Sequence, residues 1–228
     1  MAKRERAKAL GLTLPVACGY LFLGTAFGAT LAQAGFGPVW ALMMSGLVYA
    51  GSLQFVMVPL MASGAALGTV ALTALMVNAR HLFYGVSYID RFKRMGRLRP
   101  YMIFSLTDET YSVFCSLPGE ESDGVMIRVA LYDQLYWVTG SVVGAILAEQ
   151  LPFDLTGIDF SMTALFIVIC VERMLSREAR LPALLGGVCA LASLMLLGPD
   201  RFLAPALAIT AALLMAMNVV KGGKGAAA

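Results

Sequence analysis

The sequence predicts an all-α membrane protein, a polytopic helix bundle of about seven or eight hydrophobic segments with one or two of them broken or re-entrant. Of 228 residues, 59% are hydrophobic and only 14% charged, and the mean hydropathy is +0.78. Water could not solvate the surface of a domain with that composition, so lipid must. The apolar residues fall in blocks near the ~20 residues a helix needs to cross a hydrocarbon core of about 30 Å. Connections between blocks are short, which predicts one transmembrane domain over 1–228, with a basic tail at 1–9 and a short tail at 221–228.

The blocks run over 10–34, 38–62, 64–89, 101–117, 125–151, 160–171, 181–197 and 202–220. The basic start over 1–8 resembles the head of a signal peptide, but the apolar run behind it continues to Ala34, too long for a cleaved leader. It is therefore read as the first membrane segment. The block at 160–171 is short and extends toward Leu175 only by taking in Glu172 and Arg173.

Charge sets the orientation. Basic residues gather at Lys3, Arg4, Arg6 and Lys8, at Arg91 to Arg99, at Arg173, Arg177 and Arg180, and at Lys221 and Lys224. Acidic residues take other connections, at Glu120, Glu121 and Asp123 and at Glu149, Asp154 and Asp159. Basic connections resist translocation, so both termini and the Arg91 to Arg99 loop are expected in the cytoplasm of a multi-pass cell-membrane protein. Three blocks separate the basic start from that loop, so one of them must fail to cross. The run Tyr49-Ala50-Gly51-Ser52-Leu53-Gln54, followed by Pro59, makes 38–62 the candidate for a re-entrant pair. The same count between acidic loops makes 125–151 a second candidate, with ordinary tilted spans as the alternative.

A net charge of +3 without basic residues interleaved with aromatics excludes a nucleic-acid partner. Cys18, Cys115, Cys170 and Cys189 lie far apart in apolar runs, and His81 is the single histidine, so neither a metal site nor a cofactor is expected. Arg80, His81, Asp108, Glu109 and Asp133 are the ionisable residues left deep inside apolar blocks. Counted at 1.5 Å per residue, Arg80 and Asp108 lie about 14 to 15 Å from the basic loop. Asp133 is expected at the same depth, approached from an opposite, acidic side. A charge there costs ~2.5 kcal/mol or more unless paired or facing a cavity, so Arg80 is expected to pair with Asp108 or Glu109. The cluster reads either as a static polar staple or as the wall of a solute path, with Asn78, Tyr84, Thr107, Gln134 and Trp137 as polar neighbours. A break near Gly51 would add Tyr49, Ser52 and Gln54 and free backbone groups that suit an ammonium and a carboxylate. Gly24 and Gly28, Gly64 and Gly68, and Gly140 and Gly144 have the spacing that lets membrane helices approach closely.

The stretches Tyr49 to Phe55, Val77-Asn78-Ala79-Arg80-His81-Leu82-Phe83-Tyr84-Gly85 and Leu106-Thr107-Asp108-Glu109-Thr110 resemble, in that order, the signatures of the AzlC family. The resemblance implies the large subunit of a two-component exporter of branched-chain amino acids, working beside a small AzlD-type membrane subunit. Met57, Val58 and Pro59 depart from the family pattern, which leaves methionine or another apolar amino acid open as substrate. One proton crossing 100 mV yields about 2.3 kcal/mol. A tenfold gradient of a neutral solute needs only ~1.4 kcal/mol. Proton coupling is therefore expected, through His81, Arg80, Asp108, Glu109 or Asp133. No enzyme motif is present; a Ser52–His81 hydrolase dyad and a non-transporting assembly subunit are the alternatives.

Overall fold

The computed structural model describes residues 2–117, 121–150 and 180–198, with scattered positions between 167 and 217; the side chains of Ala2, Ala79, Arg80, Leu82 and Phe83 are outside that description. The described residues are helical, as expected of an all-α membrane bundle. Two compact units divide the chain, Met1–Met162 and Thr163–Ala228.

Three long helices frame the first unit: α1 (Ala2–Gln33), α4 (Leu67–Arg94) and α7 (Asp123–Gln150). Between α1 and α4 the chain forms α2 (Pro38–Met43), a π-helical turn at Met44–Val48 and α3 (Gly51–Ala62). Between α4 and α7 it forms a short 3-10 turn (Gly96–Leu98), α5 (Arg99–Phe104) and α6 (Asp108–Cys115). Proline at the first turns of α2 and α5 suits those starts, where its missing N–H costs nothing.

Helices α1 and α7 run parallel, seated on each other along two glycine pairs. A Cβ on Gly24 would lie 3.0 Å from the Trp137 carbonyl oxygen, one on Gly28 2.7 Å from the Ala145 nitrogen, and one on Gly140 2.8 Å from the Leu21 carbonyl oxygen. No side chain fits between backbones that close. Gly64 sits instead in a turn at φ +64°, and a Cβ on Gly68 meets open space, so that pair does no such packing among the described residues.

Ion pairs fix which ends lie together. Glu5 accepts from Arg128 (2.8 Å) and Ser122 (2.7 Å), Lys8 pairs with Glu121, and Arg91 pairs with Asp123 (3.1 Å) while also reaching the Glu121 carbonyl. The starts of α1 and α7 and the end of α4 therefore share one end of the unit, here the basic end. Gly37 meets Glu149 at the other end.

The two intervening segments are hairpins that penetrate from opposite ends. The first starts beside Glu149, descends to Tyr49, where Gly51 faces the Trp137 ring, and returns through α3, with Gln54 reaching back to Ser45 and Phe55 against Phe27. The second starts at the basic end, climbs α5 to a tip at Ser105-Leu106-Thr107, and returns through α6 to Phe114, which packs with Phe92, Ala9 and Val125. The tips meet, with the Tyr49 and Phe104 rings 6.0 Å apart. Helix and hairpin thus occur twice with opposite sense, α1 with the first hairpin and α4 with the second.

The broken segment at 38–62 stands where it was expected. The second re-entrant segment, expected at 125–151, does not: its described residues, 125–150, belong to the through-going helix α7, and the hairpin is 101–117. The expectation failed because acidic residues were taken to mark the far end. Glu121 and Asp123 instead neutralise Lys8 and Arg91 at the basic end, so Asp133 approaches mid-depth from that end as well. In the second unit, α8 (Arg180–Leu197) is long and apolar enough to cross a membrane, as is Lys3–Gln33 in the first. The blocks at 160–171 and 202–220 lie largely outside the described residues.

Gly28→Leu should therefore destroy the α1–α7 seam, because overpacking there cannot be relieved by backbone movement. Gly68→Leu should be tolerated. The recovery of monodisperse protein by size-exclusion chromatography in detergent checks both. A second outcome concerns pH: the hydrogen bond from Lys8, aided by Arg91, holds the Glu121 carboxyl below its ordinary value of 4.5. Its stabilisation is complete above that value and is lost as pH falls through the lowered one. Thermal stability should drop on acidification below about pH 4 to 5, and less steeply in Lys8→Met.

Candidate substrate site at the hairpin tips

Both hairpins break the backbone where water cannot reach it, and side chains of α1 and α7 satisfy the polar groups this frees. Gln134 bridges the two hairpins: its Nε2 donates to the Gly46 carbonyl (3.2 Å) and its Oε1 accepts from Tyr101 Oη (3.0 Å). Gly46 lies in the last turn before the break, where carbonyls lose their helical partners. One turn along α7, Trp137 Nε1 donates to Gln54 Oε1 (2.8 Å), and Gln54 Nε2 donates to Ser45 Oγ (3.4 Å). The indole is clamped edge-on by Tyr20 (5.2 Å between centroids) and stacks on Phe27 (6.2 Å).

Tyr49, at the first tip, has φ +44° and ψ +49°, a left-handed conformation that costs a bulky residue about 1–3 kcal/mol and persists only where packing imposes it. No side chain caps α3 at Ala50. At the second tip Thr107 caps α6, accepting from the Thr110 N–H (3.3 Å), and Asp108 and Glu109 fill the first turn in accord with the helix dipole. The starts of α3 and α6 therefore both face the middle of the unit from opposite directions.

The polar centre lies between them. Asp133 is fully buried; its Oδ2 accepts from Thr110 Oγ1 (2.8 Å) and its Oδ1 has no hydrogen-bond partner among the described residues. Ser105 Oγ, also fully buried, has none either. The Tyr49 hydroxyl lacks a hydrogen bond of ordinary geometry, with Thr110 and Asp133 as near polar neighbours. Tyr20 Oη donates to Glu109 Oε2 (2.6 Å) and lies 2.8 Å from Thr107 Oγ1. An open cleft of about 400 Å³ between α1 and α6 reaches this pair, walled by Leu12, Val16, Leu23 and Val113 and bordered by Ser112 and Ser116.

The structure thus brings Tyr49, Thr107, Glu109, Asp133 and Gln134 together at the tips, with Gln54 and Trp137 locked to one another alongside. Ser52 stands in the first turn of α3 and Asp108 opens α6. Asn78, His81 and Tyr84 stand on α4: His81 Nδ1 lies 3.3 Å from the Asn78 carbonyl, and Tyr84 stacks on Tyr111 of α6 at 4.5 Å. The Arg80 side chain, and with it the expected pair to Asp108 or Glu109, lies outside the described residues. Sequence reading missed Tyr20, Ser45, Ser105 and Thr110. Two signals were available: a hydroxyl-bearing aromatic in the middle of the first apolar block, and Thr-Asp-Glu-Thr, a helix start placed inside another.

The AzlC protein family model matches residues 15–151. The branched-chain amino acid transport protein AzlC of Bacillus subtilis is 37% identical over 86% of this chain and 78% of that protein. An uncharacterized membrane protein of Haemophilus influenzae is 37% identical over 95% of this chain and 91% of its own length. The inner membrane protein YgaZ of Escherichia coli is 30% identical over 68% of this chain and 67% of its own. No solved structure matches the chain.

Truncating either partner of the Trp137–Gln54 bond leaves a buried polar group unpaired, at a cost of about 1–3 kcal/mol. Trp137→Phe and Gln54→Leu should each lower stability, and the double variant should lose less than their sum. Denaturant unfolding in micelles reads the cycle; strict additivity would mean the bond does not form.

Proposed function

This chain belongs to the AzlC family of membrane transport proteins, and from that premise we propose that it exports branched-chain or related apolar amino acids. The export is driven by the proton motive force and carried out with a small membrane subunit of the AzlD type. The observation that supports this reading is the meeting of two opposed hairpin tips around buried polar atoms, Ser105 Oγ and Asp133 Oδ1, that have no hydrogen-bond partner among the described residues. Buried polar groups are almost always hydrogen-bonded, and exceptions concentrate where a ligand supplies the bond. Broken segments facing each other at mid-depth, in elements repeated with inverted sense, are also how many secondary transporters build a solute site reached from either side.

A zwitterion fits the chemistry there. Its carboxylate takes the uncapped start of α3, with the Ser105 and Tyr49 hydroxyls as donors. Its ammonium takes the acidic side, toward Asp133 and Glu109, and its aliphatic chain lies against Phe104. The cleft between α1 and α6 leads toward the basic end, where Lys8 and Arg91 mark the cytoplasmic side under the positive-inside rule. That route lets solute from the cell interior reach the tips.

Asp133 is the residue on which proton coupling rests in this reading. Asp133→Asn keeps an acceptor for Thr110 and removes the charge. In vesicles containing the chain and its small partner, wild-type protein should move leucine, valine or methionine in response to an imposed pH gradient. Asp133→Asn should lose that response, while counterflow exchange persists at a higher half-saturating concentration because Glu109 still faces the ammonium. Wild-type vesicles that move none of these amino acids, with or without the partner, would refute the export reading.

A further inference from the structure

Glu109 and Asp133 are joined through three hydroxyls. Tyr20 Oη lies 2.6 Å from Glu109 Oε2 and 2.8 Å from Thr107 Oγ1; Thr107 Oγ1 lies 3.2 Å from Thr110 Oγ1; and Thr110 Oγ1 lies 2.8 Å from Asp133 Oδ2. Tyr20, Thr107 and Thr110 are all buried, and the chain opens on the cleft at its Glu109 end. Each hydroxyl carries one hydrogen. The chain therefore has four oxygen–oxygen links and three hydroxyl hydrogens to fill them. With both carboxyls ionised, one link would be two oxygens facing each other without a hydrogen. One additional proton, held as a carboxylic acid at either end, completes the chain.

We propose that Tyr20, Thr107 and Thr110 form a proton relay between Glu109, on the cleft, and Asp133, in the sealed centre. With the proton on Glu109, every hydroxyl points toward Asp133. Transfer moves the Glu109 hydrogen to Tyr20, the Tyr20 hydrogen to Thr107, the Thr107 hydrogen to Thr110 and the Thr110 hydrogen to Asp133 Oδ2. Four O–H bonds break and four form, no electron pair leaves the chain, and one proton has crossed from the cleft to the centre. Every hydroxyl then points toward Glu109, and once the proton has left Asp133 the three hydroxyls rotate back toward it, which resets the relay. Among the described residues, titratable groups beside the chain include Tyr49 of the first hairpin, Tyr101 of α5 and Asp108 of α6.

The relay deepens the proton-coupled export reading by naming how a proton reaches Asp133, and its test does not depend on transport. The purified full chain should show a carboxylic-acid C=O infrared band that changes in Asp133→Asn or Glu109→Gln and disappears only when both are replaced. On dilution into D2O the band should shift at once in wild type and slowly in Tyr20→Phe and Thr110→Val, with Thr110→Ser restoring the fast shift. Tyr136→Phe, which removes a hydroxyl beside Thr13 (3.4 Å) outside the chain, should leave it fast. In vesicles, Tyr20→Phe and Thr110→Val should lose transport driven by a pH gradient and keep counterflow. A fast shift in both broken variants, or no such band in wild type, overturns the relay. The predicted band behaviour in a protein that moves no amino acid would sustain the relay and sink the export reading instead.

Discussion

The close approach of α1 and α7 is the constraint on which the rest of the first unit depends. Gly24 and Gly28 on one helix and Gly140 and Gly144 on the other let the backbones touch. That contact fixes the rotation of each helix, and so which residues flank the seam. Tyr20 and Trp137 come edge to edge, Phe27 stacks on the indole, and Asp133 and Gln134 face the hairpins. Without a hydrophobic force between helices in lipid, packing of this kind and interhelical hydrogen bonds are what hold a bundle together.

On that frame the hairpins become affordable. Interrupted backbone inside a membrane is stable only where protein covers it and supplies its hydrogen bonds. Gln134 does this for the first hairpin, donating to the Gly46 carbonyl, and its amide oxygen ties the second hairpin through the Tyr101 hydroxyl. Thr107 does it for the start of α6, while Tyr49 is held left-handed by its packing against Phe104. A single side chain that ties two elements of opposite sense also places their tips at one level. Polar atoms left over on Ser105, Asp133 and Tyr49 then stand at or beside the tips, and Asp133 is linked to Glu109 through Tyr20, Thr107 and Thr110.

Charge behaves differently at the two depths. At the basic end, Glu5, Lys8, Arg91, Glu121, Asp123 and Arg128 neutralise one another close to water, where each pair contributes modestly and mainly fixes which ends meet. At mid-depth, Asp133 and Glu109 are linked through neutral hydroxyls.

The sequence by itself determined the class of the protein, its membrane location and the block that breaks at Tyr49 and Gly51. These follow from composition, apolar block length and residue counts along helices, all properties of one segment at a time. Two of the three glycine pairs also proved to be seams. The tertiary structure alone decided that 101–117, not 125–151, is the second hairpin, that the acidic loop folds onto the basic end, and that Tyr20 and Thr110 join Glu109 to Asp133. Each of these is a relation between different segments, some more than eighty residues apart, as with Tyr20 and Thr107 or Lys8 and Glu121. A positive-inside count sees the sign of a loop but not its partner, and helical spacing gives the face of a side chain but not what lies opposite. That is fixed only when the glycine seam sets the two helices in register.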